Sequence, residues 1–457
     1  MPLLFIAWRN FCYRALSSFL TTLSLTLGVA LVVVVLSIYG IITEAFVRNA
    51  SVGCNLVVGP KGSALQLTLN SVYYLSQPIE NLPFTTYMEF FPAERRAAMV
   101  EKYGGDPALG ERDGKYAAYV GGGFAIPLAL GDYFGEYRVV GTTTDFFERL
   151  RHGPEVDQPF SFEAGRPFVE YHPEHEVFEA VLGSRVAATM GLSVGDTMNP
   201  THGDPEGKGH GQGFHVVGIM DPTGTPNDRA VFVNLEGFYL LEGHAKPVDT
   251  EALIAPPERG NSPGEIPADI DLLTIPEREV TSILVQNRPR MFAVPLQNMI
   301  NESVQAQAAA PVGEINKLMS MFVGPITKAL LAITAITCFV AAVGVLVAIY
   351  NSMNDRRRDI AIMRALGARR DSVTVIILLE SLIIAVLGGL IGWLLAHLAI
   401  YASGGYIEAQ TGVQISLWSL SENEIYLLPL VLLLSLIAGL VPALSAYRTD
   451  VGTNLSA

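Results

Sequence analysis

Ala15-Leu-Ser-Ser-Phe-Leu-Thr-Thr-Leu-Ser-Leu-Thr-Leu-Gly-Val-Ala-Leu-Val-Val-Val-Val-Leu-Ser-Ile-Tyr-Gly-Ile-Ile-Thr43 runs for 29 residues without a charge. A helix rises about 1.5 Å per residue, so roughly 20 apolar residues cross a bilayer core about 30 Å thick. The stretch Leu23–Ile42 meets that length by itself. It exceeds the roughly 7–15 apolar residues of a cleaved leader. No small-x-small cleavage site follows it cleanly, so it predicts a retained membrane helix.

Three further runs have the same character. Ala329–Asn354, Ser381–Ile407 and Ile425–Tyr447 are charge-free over 26, 27 and 23 residues. Four buried helices of a soluble core do not need such lengths, and four spans do. Composition agrees: 50% of residues are hydrophobic and 16% charged, with a mean hydropathy of +0.35. An ordinary soluble protein carries about 25% charged residues.

The bases fix an orientation, because Lys and Arg collect on the cytoplasmic side. Arg9 and Arg14 precede the first span. Arg356, Arg357, Arg358, Arg364, Arg369 and Arg370 lie between the second and third, and Arg448 follows the fourth. The loop between the third and fourth spans has no Lys or Arg and carries Glu408, Glu422 and Glu424. Both termini and the 351–372 loop are therefore expected inside, with the long segment of roughly 45–325 outside. That segment holds nearly all the imbalance, 36 acids against 21 bases over 44–350, in a chain of net charge -14. An acidic chain gives phosphate backbones no basic face, so nucleic acid is excluded as a partner.

The outer segment alternates short apolar runs with turn residues. Strands are expected at Tyr137–Gly141, Phe178–Leu182, Phe214–Ile219, Ala230–Val233 and Ser282–Val285, with helices at 91–103, 184–191 and 234–241. Stretches 201–213 and 243–270 are rich in Gly, Pro and acids and read as loops. Residues 301–325 are expected to be helical, a stalk leading into the second span. The whole reads as α+β. Cys54 is the only cysteine of this segment, since Cys12 and Cys338 lie at or in spans. Its fold must therefore rest on a core rather than an internal disulfide.

Motifs that suggest enzymes fail on context. Gly260-Asn-Ser-Pro-Gly264 matches a nucleophile elbow in letters, but it sits in a Pro-interrupted loop instead of a strand–turn–helix. Gly203-Asp-Pro-Glu-Gly-Lys208 has one residue too few for a phosphate loop and lacks the Ser or Thr after its Lys. Ser403-Gly-Gly-Tyr406 resembles an ATPase signature, yet it stands on the outer side with no nucleotide-binding domain around it. No cofactor is expected to bind this chain, and no enzymatic site is expected. Two groups of outer histidines have metal-ligand spacing, His172/His175 and His202/His210/His215, the second being the candidate zinc site. Glu380 lies near the inner end of the third span, where an acid is a functional candidate. Gly388-x-x-x-Gly392 and Gly439-x-x-x-Ala443 are small-residue pairs that permit close helix packing. Ser17, Ser18, Thr21, Thr22, Ser24 and Thr26 predict a protein-facing seam on the first span.

The inner loop is the most specific piece. Over 355–369, Ile360, Met363 and Leu366-Gly367 define a short amphipathic helix with bases on its other face and a Gly end. Asp359-Ile-Ala-Ile-Met-Arg364-Ala-Leu-Gly-Ala368, with Glu380 and the glycines at 388, 389 and 392, resembles the FtsX-like domain of MacB/LolC-type ABC-transporter permeases. That family usually has Glu where this chain has Asp359. Ala7-Trp-Arg-Asn10 with Leu27-Gly28, and Gly439-Leu-Val-Pro442 with Tyr447-Arg448, are similar too. Gly165-Arg-Pro-Phe168, Gly183-Ser-Arg-Val-Ala187, Met190-Gly-Leu-Ser-Val-Gly-Asp196 and Val216-Val-Gly-Ile219 resemble the family's MacB-like core domain.

The resemblance implies a membrane α-helical protein with four transmembrane helices and a large extracytoplasmic α+β domain between helices 1 and 2. The implied domains are 1–44, 45–325 and 326–457. It further implies a multi-pass inner- or plasma-membrane permease, working as a homodimer or heterodimer in lipid. A separate cytoplasmic ATPase would supply ATP and Mg²⁺ chemistry and dock on Asp359, Ile360, Met363, Arg364, Leu366 and Gly367. Substrates of such systems are handled on the outer side and include lipoproteins, peptides, drugs and haem, sometimes with an outer binding protein or lipoprotein. Some members instead transmit a mechanical signal to cell-wall hydrolases, and a metal-handling member is a further alternative.

Overall fold

The computed structural model describes residues 3–411 except 14, 51–52, 153–156, 204–206, 208, 250–253, 256–265, 268 and 356–368, together with 429 and 440. The coupling residues Asp359, Ile360, Met363, Arg364, Leu366 and Gly367, and all but two residues of the fourth expected span, lie outside the described residues. The chain divides into two compact units, Met1–Glu44 with Ser320–Ala457, and Ala45–Met319.

The first unit is helical. Its long helices are Ala15–Ala50, Gly324–Asp355 and Arg370–Thr411, preceded by a short helix at Leu3–Tyr13. Among the described residues, Ala15–Ile41, Pro311–Thr337 and Asp371–Gly405 are long and apolar enough to cross a membrane. Leu25, Val29 and Val33 of the first long helix form one cluster with Ile384, Ala385 and Ala396 of the last.

The second unit is built on strands β1 Leu56–Pro60, β2 Leu82–Pro83, β3 Phe124–Phe134, β4 Tyr137–Thr142, β5 Phe162–Gly165, β6 Glu179–Leu182, β7 Thr197–Met198, β8 Thr201–His202, β9 Phe214–Met220, β10 Ala230–Asn234, β11 Glu279–Val280, β12 Ser282–Gln286 and β13 Ala306–Ala309. The main sheet runs β13-β1-β12-β3-β4-β10-β6-β9-β5, with β7 on β9 and β8 on β3. Among the strands described, β4–β10 and β6–β9 are the parallel pairs. Every residue of β6 and β10 is buried, as expected of strands covered on both faces.

β3 is the hinge of the sheet. Residues 124–128 pair with β12 and residues 129–134 with β4, with a register shift between Leu130 and Tyr133. Each half-sheet has its own core. One gathers Leu56, Val58, Phe90, Ile283 and Val285, and the other Val139, Leu182, Phe214, Val231 and Phe238. Arg278 and Glu236, both buried, join in a bidentate pair at 2.6 and 3.0 Å, with the Arg278 guanidinium 3.6 Å from the Tyr103 ring centroid.

The five expected strands and three expected helices all form, within a residue or two of their predicted ends. Two expectations are corrected. Residues 301–325 are not one helix, because β13 interrupts them as the edge partner of β1, and helix resumes at Pro311. The Asn301 side chain accepts from the Ala308 N–H and donates to its carbonyl, satisfying the edge groups that β1 does not reach. The 201–213 loop is likewise not wholly irregular, since β8 pairs His202 with Asp132.

Candidate functional site

Two places carry more than packing. The first is the seam between helices Ala15–Ala50 and Arg370–Thr411. A Cβ on Gly388 would stand 3.0 Å from Leu25, and one on Gly392 only 2.6 Å from the Thr26 carbonyl oxygen and 2.9 Å from Val29. Both glycines therefore let the backbones approach, as the small-x-x-x-small spacing predicts. The hydroxyls of Thr21, Thr22 and Ser24 donate to carbonyls four residues back, at Ser17, Ser18 and Leu20. Ser18, Thr21, Thr22 and Thr26 are buried. The hydroxyls of Thr21 and Thr22 are thus satisfied by their own helix, which leaves their methyls to pack. Glu380 is buried beside Ser381 within this unit.

The second place is a side-chain cluster on β3 in the sheet-rich unit. Asp132 sits near the C-terminal end of β3, fully buried. β8 sets His202 opposite it, the chain returns at His210, and His244 follows the helix Leu235–Tyr239. Asp132 Oδ1 lies 3.2 Å from His202 Nδ1 and 3.2 Å from His244 Nε2, while Oδ2 lies 3.0 Å from His210 Nε2. His202 Nδ1 and His244 Nε2 are 3.2 Å apart. The side chains of His210 and His244 are 6% and 4% exposed, and that of His202 58%. Burial pushes the His210 imidazole below its ordinary pKa, and the neighbouring histidines add to this against the pull of Asp132.

Of the three histidines in the candidate zinc site, the structure brings together His202 and His210. His215 stands elsewhere: it projects from β9, its ring stacks on His175 at 4.5 Å, and its Nδ1 lies 3.4 Å from the Thr197 hydroxyl. The pairing of Thr197 with His215 between β7 and β9 holds it there. Asp132 and His244 complete the group instead. His172, Glu174 and His175 also converge. Two of their ring nitrogens have partners within the protein: His175 Nδ1 is 3.2 Å from Glu179, and His172 Nδ1 accepts from the Glu174 N–H. Glu179 in turn grips Arg166 at 2.6 and 2.9 Å. The Gly165 before it has φ +75° and a Cβ there would collide with the Val217 carbonyl. The Gly165-Arg-Pro-Phe168 motif is thus a structural clasp between β5 and β6.

In chain order a sheet-rich α+β unit falls between the first two long helices of a unit whose helices are apolar and long enough to cross a membrane, the mark of a membrane protein with a large additional domain. Residues 18–259, more than half of the chain, match the MacB-like periplasmic core domain, and residues 331–451 match the FtsX-like permease C-terminal domain. The chain belongs to the MacB-type, FtsX-like family of ABC-transporter permeases. It is 29% identical over 137 residues to an uncharacterized ABC transporter permease of Methanocaldococcus jannaschii, covering 30% of this chain and 34% of that one. It is 25% identical over 233 residues to the macrolide export ATP-binding/permease protein MacB of Brucella abortus, covering 49% of this chain and 31% of that one. The ABC transporter permease YknZ of Bacillus subtilis is 30% identical over 86 residues, covering 19% and 20%. The chain spans about a third of the length of the first two of these relatives.

Proposed function

We propose that this chain is the membrane-embedded permease of an ABC transporter, worked by a separate cytoplasmic ATPase docked on helix 355–369. Two copies pair in the membrane, with both termini inside. Closure of the ATPase pair on ATP moves the spans, and the chain carries that motion to an outer α+β domain, which moves or extrudes a hydrophobic or amphipathic substrate. The observation that carries the reading is the FtsX-like match over 331–451, which takes in the whole inner loop. Within that loop Ile360, Met363 and Leu366 offer an apolar side for a groove, with Asp359 and Arg364 as its charges.

Burying an apolar side chain contributes about 1.5–3 kcal/mol. Leaving a partner's buried charge unpaired costs about 2–5 kcal/mol. Asp359→Ala and Arg364→Glu are therefore expected to insert normally yet lower co-purification of the ATPase at least tenfold, or uncouple its hydrolysis from substrate. Glu314→Gln, outside the loop, is expected to change neither. Full ATPase binding and full substrate-stimulated hydrolysis in both loop variants would reduce the segment to a membrane-surface helix.

A further inference from the structure

We propose that Asp132, His202, His210 and His244 form a binding site for a zinc-class divalent ion. The proposal is independent of the transport reading, because all four residues lie in one compact unit. Their donor atoms all fall within 4.8 Å of one another. A tetrahedral ion with bonds of about 2.0–2.1 Å sets its donors roughly 3.3–3.4 Å apart. The four closest approaches, 3.0–3.2 Å, are near that edge length.

Direction matters as much as distance. Both Asp132 oxygens and His210 Nε2 are buried and make no hydrogen bond, although they come within 3.0 Å of each other. Close approach without a hydrogen bond is what a set of donors around a shared cation would show. An unpaired buried carboxylate is costly, and a cation at that centre would satisfy it and three imidazoles at once. Three nitrogens and one oxygen without a thiolate suit Zn²⁺ and its neighbours Co²⁺ and Ni²⁺. Mg²⁺ and Ca²⁺ take oxygen shells and fit poorly.

The site also explains how its surroundings hold together. His202 and His210 belong to the Gly-rich 201–213 stretch and His244 to the segment after the helix Leu235–Tyr239. Among the described residues, 201–213 adds no member to the two cores of this unit. An ion would tie both to β3. His202, the exposed ligand, gives solvent access, so the ion can enter and leave with the domain folded.

The test is Zn²⁺ binding to the full-length chain in detergent, after chelator treatment, with Co²⁺ substitution to read geometry. One equivalent per chain, a tetrahedral Co²⁺ spectrum and a Zn²⁺-dependent rise in melting temperature are expected. Losing an outer-shell partner already costs about 10–100-fold in metal affinity, so loss of a direct ligand in His244→Ala or His202→Ala is expected to cost at least ~100-fold. His202 is mostly exposed, so its replacement leaves the packing intact and guards against a variant that merely misfolds. His215→Ala is expected to bind as the parent does. Binding below a tenth of an equivalent, or binding unchanged in His202→Ala, would overturn the proposal. Binding lost in His175→Ala instead of His202→Ala would likewise overturn it, moving the ion to the His172 group.

Discussion

At the scale of single residues the sheet-rich unit concentrates its charges in a few tight groups. Glu89 accepts from Arg112 at 2.6 and 3.0 Å and from the Lys115 N–H at 2.6 Å, with Arg96 3.1 Å away. Burial alone would raise its pKa, but these partners outweigh it and hold the carboxyl down at about 2. A carboxylate depressed in the folded state contributes stability above its unfolded pKa and loses it as pH falls through the folded value. Glu89→Gln is therefore expected to lower the melting temperature most at pH 6–7, with the deficit shrinking between about pH 4.5 and 2. A deficit that stays constant across that range in thermal denaturation would refute the linkage. The metal-type cluster shows what single residues disclose in sequence. His202 and His210 were legible because two histidines close in a loop are conspicuous. His215 misled because spacing along a chain says nothing about which side of a strand pair a ring takes. Asp132 was hidden at the end of β3, and His244 lies 42 residues from His202, a separation that only the fold closes.

At the scale of elements, short apolar runs between turn residues exposed five strands of the main sheet, and apolar length exposed long helices among the described residues. β3 escaped because Pro127 and Gly131 interrupt its pattern, although Pro127 keeps its place in the ladder opposite Ile283. β13 escaped because Ala-Gln-Ala-Ala favours helix locally and only long-range pairing with β1 makes it a strand. The helix seam was more legible, since the Gly388/Gly392 spacing is visible in the letters and the contacts with Leu25, Thr26 and Val29 account for it. Forcing a large side chain into such a contact costs about 1–3 kcal/mol. Gly392→Leu is expected to lower the melting temperature in detergent by several degrees. Gly405→Leu, where nothing lies within 4 Å, is expected to leave it within a degree or so. Equal effects at the two positions would mean that the seam does not depend on close approach.

At the scale of the whole molecule the decisive quantity is where charge sits relative to the apolar helices. Residues 44–350 carry the chain's acidic excess, whereas the ends outside them have a few flanking arginines, Arg9 and Arg14 before the first long helix and six at 356–370. Arginines resist translocation next to a span, whereas acids contribute little to orientation. The 356–370 cluster has six arginines and should dominate, and Arg9 and Arg14 act in the same sense across the first span. An even number of crossings would return the C-terminus to the side of the N-terminus, and the charge-free run at 425–447 is long enough to supply the fourth. Single cysteines introduced into a background lacking Cys12, Cys54 and Cys338 give a direct reading: Glu111→Cys, an exposed position of the sheet-rich unit, and Asp355→Cys beside the arginine cluster. With intact cells and a membrane-impermeant maleimide, Glu111→Cys is expected to label at once and Asp355→Cys only after permeabilisation. The reverse pattern would place the α+β unit in the cytoplasm and set the 356–370 stretch beyond the reach of any cytoplasmic ATPase. Labelling of both from outside would mean that the Gly324–Asp355 helix does not cross, because that helix alone separates the large domain from the loop in the chain.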